Sequence, residues 1–97
     1  MSRRTYDVNI VINGQPINEV IIDPHYETKH PDISDSIILA LVKKLHGREF
    51  LAEMKKDGFD FYMLDRIPLN GKKYRLVWCM QDKSMFIGVI NAYRRKS

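Results

Sequence analysis

A single cysteine, Cys79, rules out an internal disulfide, and with it the small secreted folds that disulfides hold together. Cys79 lies inside an apolar run and reads as a small core side chain. Long hydrophobic runs are missing too. The longest, residues 37–42, is far too short to span a bilayer, and the polar start Met1-Ser2-Arg3-Arg4-Thr5 has no apolar signal region behind it. The expectation is a soluble, cytoplasmic protein of a reducing compartment with no membrane association, although export without a sequence signal stays open. Glycine-rich phosphate loops and paired catalytic carboxylates are absent, and Ser34, Ser84 and Cys79 have no nucleophile-and-base setting. Hydrolases of the covalent kind are therefore disfavoured. No linker, repeat or low-complexity tract divides the chain, so one domain is expected over residues 1–97, with a basic tail from about residue 94.

What the chain does have is an ordinary globular composition, 44% hydrophobic and 29% charged, and an uneven charge. The net value is +4. Segment 13–37 holds five acids against Lys29, whereas segment 70–97 holds seven cations against Asp82. A basic end on a mildly basic domain favours a polyanionic partner, because neutralising phosphates releases counterions. A solvated surface with a basic tail would look the same by charge alone.

The patterning predicts strands at both ends and a helix between. Tyr6, Val8, Ile10 and Ile12 alternate with polar residues, Asn13-Gly14 supplies a two-residue turn, and residues 17–22 return behind Pro16. Asp32 or Ser34 can cap a helix whose apolar stripe is Ile33, Ile37, Ile38, Leu41, Val42 and Leu45. Lys43, Lys44 and His46 suit the negative end of its dipole, and Gly47 suits its C-terminal cap. Residues 48–58 read as a short amphipathic turn or a loop. Three strands then follow: one from Phe59 to about Ile67, stopped by Pro68, then residues 73–80 after the turn Asn70-Gly71, and then 85–93. The fold class expected is α+β with a mainly antiparallel sheet: an N-terminal β-hairpin, one main helix and a C-terminal three-stranded meander. Trp78, Phe61, Phe86 and Val89 are expected in the core beneath the helix.

The block Gly71-Lys72-Lys73-Tyr74-Arg75-Leu76-Val77-Trp78, a polar turn, and then Ile87-Gly88-Val89-Ile90-Asn91-Ala92-Tyr93-Arg94-Arg95 resembles the C-terminal hairpin of RelE/ParE-type toxins. His25-Tyr26-Glu27-Thr28-Lys29-His30-Pro31 is similar to the H-x-x-x-K-H segments of some members of the wider barnase–EndoU–colicin–RelE superfamily of metal-independent ribonucleases. The resemblance covers roughly residues 25–95. It implies a RelE-like fold, RNA as substrate, ribosome-bound or free, and an antitoxin-like protein partner. Two departures stand against it: those toxins open with a helix or helical hairpin, and their catalytic sets vary between members.

Cleaving RNA without a metal takes a base for the 2′-hydroxyl proton, an acid for the leaving 5′-oxygen, and cations for the charge on the phosphate. His25 and His30 are the candidates for base and acid, since histidine's unperturbed pKa of about 6.5 allows either form near neutrality. Lys29 and Tyr93 are the alternatives for those roles. Arg75 and Arg94 are candidate phosphate clamps, Lys29, Lys72, Lys73 and Arg95 are further cations for RNA, and Tyr93 can donate a hydrogen bond or stack on a base. The catalytic set expected is thus His25, His30, Arg75 and Tyr93. His25 and His30 lack a convincing third ligand, so no metal or other cofactor is expected. Arg75 could instead pair with Asp60 or Asp65 across the neighbouring strand. The remaining function classes are a non-catalytic RNA- or protein-binding module and, on the acidic 13–37 segment, an inhibitor or immunity-type protein.

Overall fold

The computed structural model describes residues 3–23 and 30–95. Strands β1 (Arg4–Ile12) and β2 (Gln15–Ile22) pair antiparallel around Asn13-Gly14, whose φ values of 55° and 72° are the two positive angles that a two-residue turn needs. Asn13 also ties this turn to the rest of the chain. Its Oδ1 accepts the Phe50 N–H at 2.5 Å, and its Nδ2 donates to the Tyr62 hydroxyl at 3.2 Å.

Helix α1 (Asp35–Lys43) has nine residues, too few to persist alone in water. Burial holds it. Ile38, Leu41 and Val42 are fully buried, as is Leu45 just beyond the helix, and each such side chain contributes roughly 1.5–3 kcal/mol. The Ser34 Oγ caps the helix by accepting the Ile37 N–H at 3.3 Å. Both ends are moored to β1. At the start, Arg4 forks onto Asp35, Nε to Oδ2 at 2.6 Å and Nη2 to Oδ1 at 3.0 Å, and the Tyr6 hydroxyl donates to the same carboxylate. Beyond the end, His46 Nδ1 accepts the Val11 N–H at 3.0 Å, and the Gly47 N–H donates to the Val11 carbonyl at 2.7 Å. His46 therefore pins the outer strand rather than only answering the helix dipole.

Strands β3 (Met54–Lys56), β4 (Phe59–Leu69), β5 (Lys72–Met80) and β6 (Phe86–Arg95) complete one six-stranded sheet of order β1-β2-β6-β5-β4-β3. The expected RelE-like plan, an N-terminal hairpin with a three-stranded antiparallel meander, is corrected on two points. Residues 54–56 form an additional strand, folded onto β4 by the Asp57-Gly58 turn at φ 55° and 81°. More consequentially, β2 runs parallel to β6, with Glu19 to Ile22 in register with Phe86 to Val89, so both halves of the chain enter a single mixed sheet. β6 is apolar on both faces, which suits a central position. The helix and strands β3 to β5, which all lie between β2 and β6 in the chain, supply the long connection that parallel strands need.

The helix packs on one face of this sheet, over Ile12, Ile22, Leu76, Trp78, Ile87 and Ala92, all with no exposed surface. Trp78 stacks on Tyr62 at 5.5 Å and meets the edge of Phe50 at 5.0 Å. Trp78 and Val89 are in the core as expected, but Phe61 and Phe86 are not. They lie on the opposite, uncovered face, because alternation along β4 and β6 sends Tyr62, Ile87 and Val89 toward the helix instead. Among the described residues no helix is long and apolar enough to cross a membrane.

Candidate functional site

The site forms where β6 outlasts its parallel neighbour. Pairing with β2 stops at Ile22–Val89, yet β6 continues to Arg95. Among the described residues its last positions pair with β5 alone, and His30, in the segment leading to α1, packs against them. The His30 ring stacks on Tyr93 with centroids 5.1 Å apart and planes inclined by 22°. Arg75 is the register partner of Tyr93 on β5 and lays its guanidinium over the same ring, 5.5 Å from the centroid. Three residues from distant parts of the chain thus meet on the Tyr93 ring.

Two β-bulges aim these side chains. Val77 pairs with Asn91 and Trp78 with Val89, so Ile90 is the extra residue on β6. Were Ile90 paired regularly, Tyr93 would share the parity of Val89 and point into the core; because Ile90 bulges out of the ladder, Ala92 takes the core position and Tyr93 faces outward beside Arg75. On β4, Leu64 pairs with Leu76 and Ile67 with Tyr74, leaving Asp65 and Arg66 opposite Arg75 alone. Arg66 adopts φ 57°, in the left-handed region that costs a non-glycine residue energy. The bulge keeps Asp65 on the uncovered face and returns Ile67 to the core.

Asp65 organises the cations. One oxygen accepts Arg75 Nη2 at 2.9 Å, and the other accepts Arg95 Nε at 3.1 Å and the Arg66 N–H at 2.9 Å. The hydrogen bond from Arg75 does most to hold the Asp65 carboxyl below the usual carboxylate range, against the opposing effect of its partial burial. Reciprocally, Asp65 first and Tyr93 second keep Arg75 firmly charged. Arg75 Nε is enclosed and, like Nε1 of the core Trp78, has no hydrogen-bond acceptor among the described residues.

The structure brings together His30, Arg75, Tyr93 and Arg95 from the expected set. Lys73 is the register partner of Arg95 and borders the cluster. Arg94 and Lys72 are on the other face: Arg94 pairs with buried Tyr74 and so faces the helix side, and Lys72, paired with Leu69 at the start of β5, shares the parity of Tyr74 rather than of Arg75. His25 and Lys29 lie outside the described residues. Asp65, considered in the sequence only as a partner that would neutralise Arg75, turns out to bridge both arginines. Its one legible signal is the acid-basic pair Asp65-Arg66 interrupting a stretch of β4 that is otherwise apolar from Phe61 to Leu69. No protein-family model, no curated protein and no solved structure matches this chain.

Proposed function

We propose that this protein is a small, toxin-like, metal-independent endoribonuclease acting in the cytoplasm, and that it cuts RNA by attack of a 2′-hydroxyl on the adjacent phosphate. The observation that carries the reading is the convergence of His30, Arg75 and Tyr93 on one ring cluster, flanked by Arg95. It unites a proton-transfer group, a charged clamp and a hydroxyl within contact distance. The likeness of the β5–β6 sequence to RelE/ParE-type toxins supports the same chemistry, independently of the overall topology.

In this mechanism the His30 imidazole exchanges the proton at one oxygen, taking it from the 2′-hydroxyl or giving it to the departing 5′-oxygen. The second proton is handled by the Tyr93 hydroxyl or by His25. As the 2′-oxygen bonds to phosphorus, the phosphorus–5′-oxygen bond breaks. The products are a 2′,3′-cyclic phosphate and a 5′-hydroxyl. Arg75 and Arg95, fixed at one end by Asp65, direct their remaining donors to the phosphate oxygens, where negative charge grows. With its ring already engaged by His30 and Arg75, Tyr93 contributes its hydroxyl rather than a stacking surface.

The test is incubation of mixed-sequence RNA with the protein in excess EDTA, beside His30→Ala and Arg75→Ala variants. Cleavage by the wild type and its loss in both variants is the expected result. Equal cleavage by all three would overturn the site. Salt-sensitive binding without cleavage, with ribosomes also supplied, would support the non-catalytic RNA-binding module instead. A toxin of this kind would be held by an antitoxin-like partner, so growth arrest on expression should depend on Arg75.

A further inference from the structure

Three cations from three different elements meet at the β4 bulge. Lys44 is the C-terminal cap of α1, Arg48 lies in the turn that bridges to Ile12 of β1, and Arg66 belongs to the bulge itself. They surround one cavity of about 440 Å³, floored by Leu64, Ile67 and Pro68. All three are exposed, and none makes an ion pair among the described residues. The helix dipole accounts for Lys44 but not for Arg48 or Arg66, which lie outside the last turn of α1.

Two of these cations are held in place. The Arg48 carbonyl accepts the Asn13 N–H at 2.9 Å, and its guanidinium lies 5.2 Å from the centre of the Phe50 ring. Phe50 in turn meets Trp78 in the core. Arg66 adopts its φ of 57° at a position where glycine would carry no strain, so the bulge itself has no need of a long cationic side chain. Asp65 also borders the cavity, but its oxygens are already taken by Arg75, Arg95 and the Arg66 N–H. Three positive charges are therefore left without a partner, and one carboxylate separates them from the Arg75 cluster.

Resting on the phosphate-site reading above, we infer that this cavity is a second backbone subsite: it binds a phosphodiester of the same RNA chain whose neighbouring phosphate is held at Arg75. Lysine and arginine donors match phosphate oxygens, and the apolar floor matches the carbon face of a ribose. The volume falls within the roughly 300–1,000 Å³ of small-molecule sites, which is room for a nucleotide unit rather than a bare ion. An acidic protein segment would answer the charge equally well. The shared border at Asp65 favours RNA, because it places both subsites along one continuous chain crossing the bulge.

The experiment measures binding of a fully 2′-O-methylated hexanucleotide, which lacks the attacking hydroxyl, by the full chain over a range of salt. Lys44→Gln combined with Arg48→Gln should weaken binding on the order of tenfold. The plot of log affinity against log salt should become shallower by about 0.7, the share of one phosphate on a single strand. Arg66→Gly, which suits the backbone angle and so keeps the bulge, should weaken binding as well. In the unmodified protein, saturating hexanucleotide should protect Lys44 from acetylation and leave Lys83, in the turn at the opposite end of β5, reactive. That readout needs no variant to fold. Unchanged affinity and slope, or no protection of Lys44, with cleavage still requiring His30 and Arg75, would overturn the subsite and leave the nuclease reading standing. Stronger protection of Lys44 by polyglutamate than by the hexanucleotide would assign the cavity to an acidic protein segment and overturn it as well. Failure to bind any oligonucleotide would overturn both.

Discussion

Arg75 works only as well as the residue that holds it. Its guanidinium touches a tyrosine ring and one carboxylate, and that carboxylate is shared with Arg95. Removing Asp65 frees two long cations to sample many rotamers, and misplacement of a clamp by an ångström is costly in catalysis. Asp65→Ala should therefore lower kcat/KM for RNA by about 10- to 100-fold, even though it makes the site more positive. Weak nonspecific RNA binding should hold or strengthen, which a gel-shift titration beside the kinetics would show. Arg75→Lys should fail to restore activity, because an ammonium cannot satisfy Asp65 and a phosphate in the same fork. Asp65 also makes a pH prediction. Its folded-state carboxyl titrates below the ordinary value, so its contribution to stability is present above that value and is lost as pH falls through the folded one. In urea melts, the gap between wild type and Asp65→Asn should be constant near neutrality and shrink below about pH 4.

At the scale of elements, the helix and the turns were legible and the bulges were not. Ser34 as cap and the Ile38, Leu41, Val42 stripe follow from spacing, as does the Asn13-Gly14 turn. The Asp57-Gly58 pair carried an equally plain turn signal for β3, but Met54, Lys55 and Lys56 are all exposed, and three residues are too short a run to show an alternating pattern. Phe86, Ile87, Gly88, Val89 and Ile90 are apolar or small in unbroken succession, so nothing in β6 says which face is buried. A one-residue slip exchanges the faces, and here the extra residue at Ile90 does so between Val89 and Ala92. For that reason Phe86 reads as a core residue in the sequence yet lies on the uncovered face, while residue types alone, without geometry, point to His30, Arg75 and Tyr93. Deleting Ile90, the extra residue, should restore regular pairing and leave Tyr93 facing outward beside Arg75, so cleavage should persist in a protein that still shows strand signal in circular dichroism. Ile38→Ala, which opens a void under a helix too short to stand alone, should cost about 2–5 kcal/mol by chemical denaturation.

At the scale of the whole molecule, the parallel contact between β2 and β6 makes the N-terminal hairpin part of the core. Val20 and Ile22 are fully buried beside Ile87 and Val89, and β1 holds both ends of the helix. A chain starting after residue 23 should therefore fail to fold, and the intact protein should unfold in one cooperative transition. That long-range pairing has no local signature, since the same alternating residues serve parallel and antiparallel partners alike. It is also what leaves the end of β6 open to His30, so the site depends on the topology that the sequence did not reveal. The most direct measurement of the central claim uses a DNA oligonucleotide with a single ribonucleotide, incubated in EDTA. One cut is expected, immediately 3′ of the ribonucleotide, leaving a 2′,3′-cyclic phosphate and disappearing in His30→Ala. Cutting at deoxynucleotides, or no cutting by a folded protein of any RNA, would contradict it.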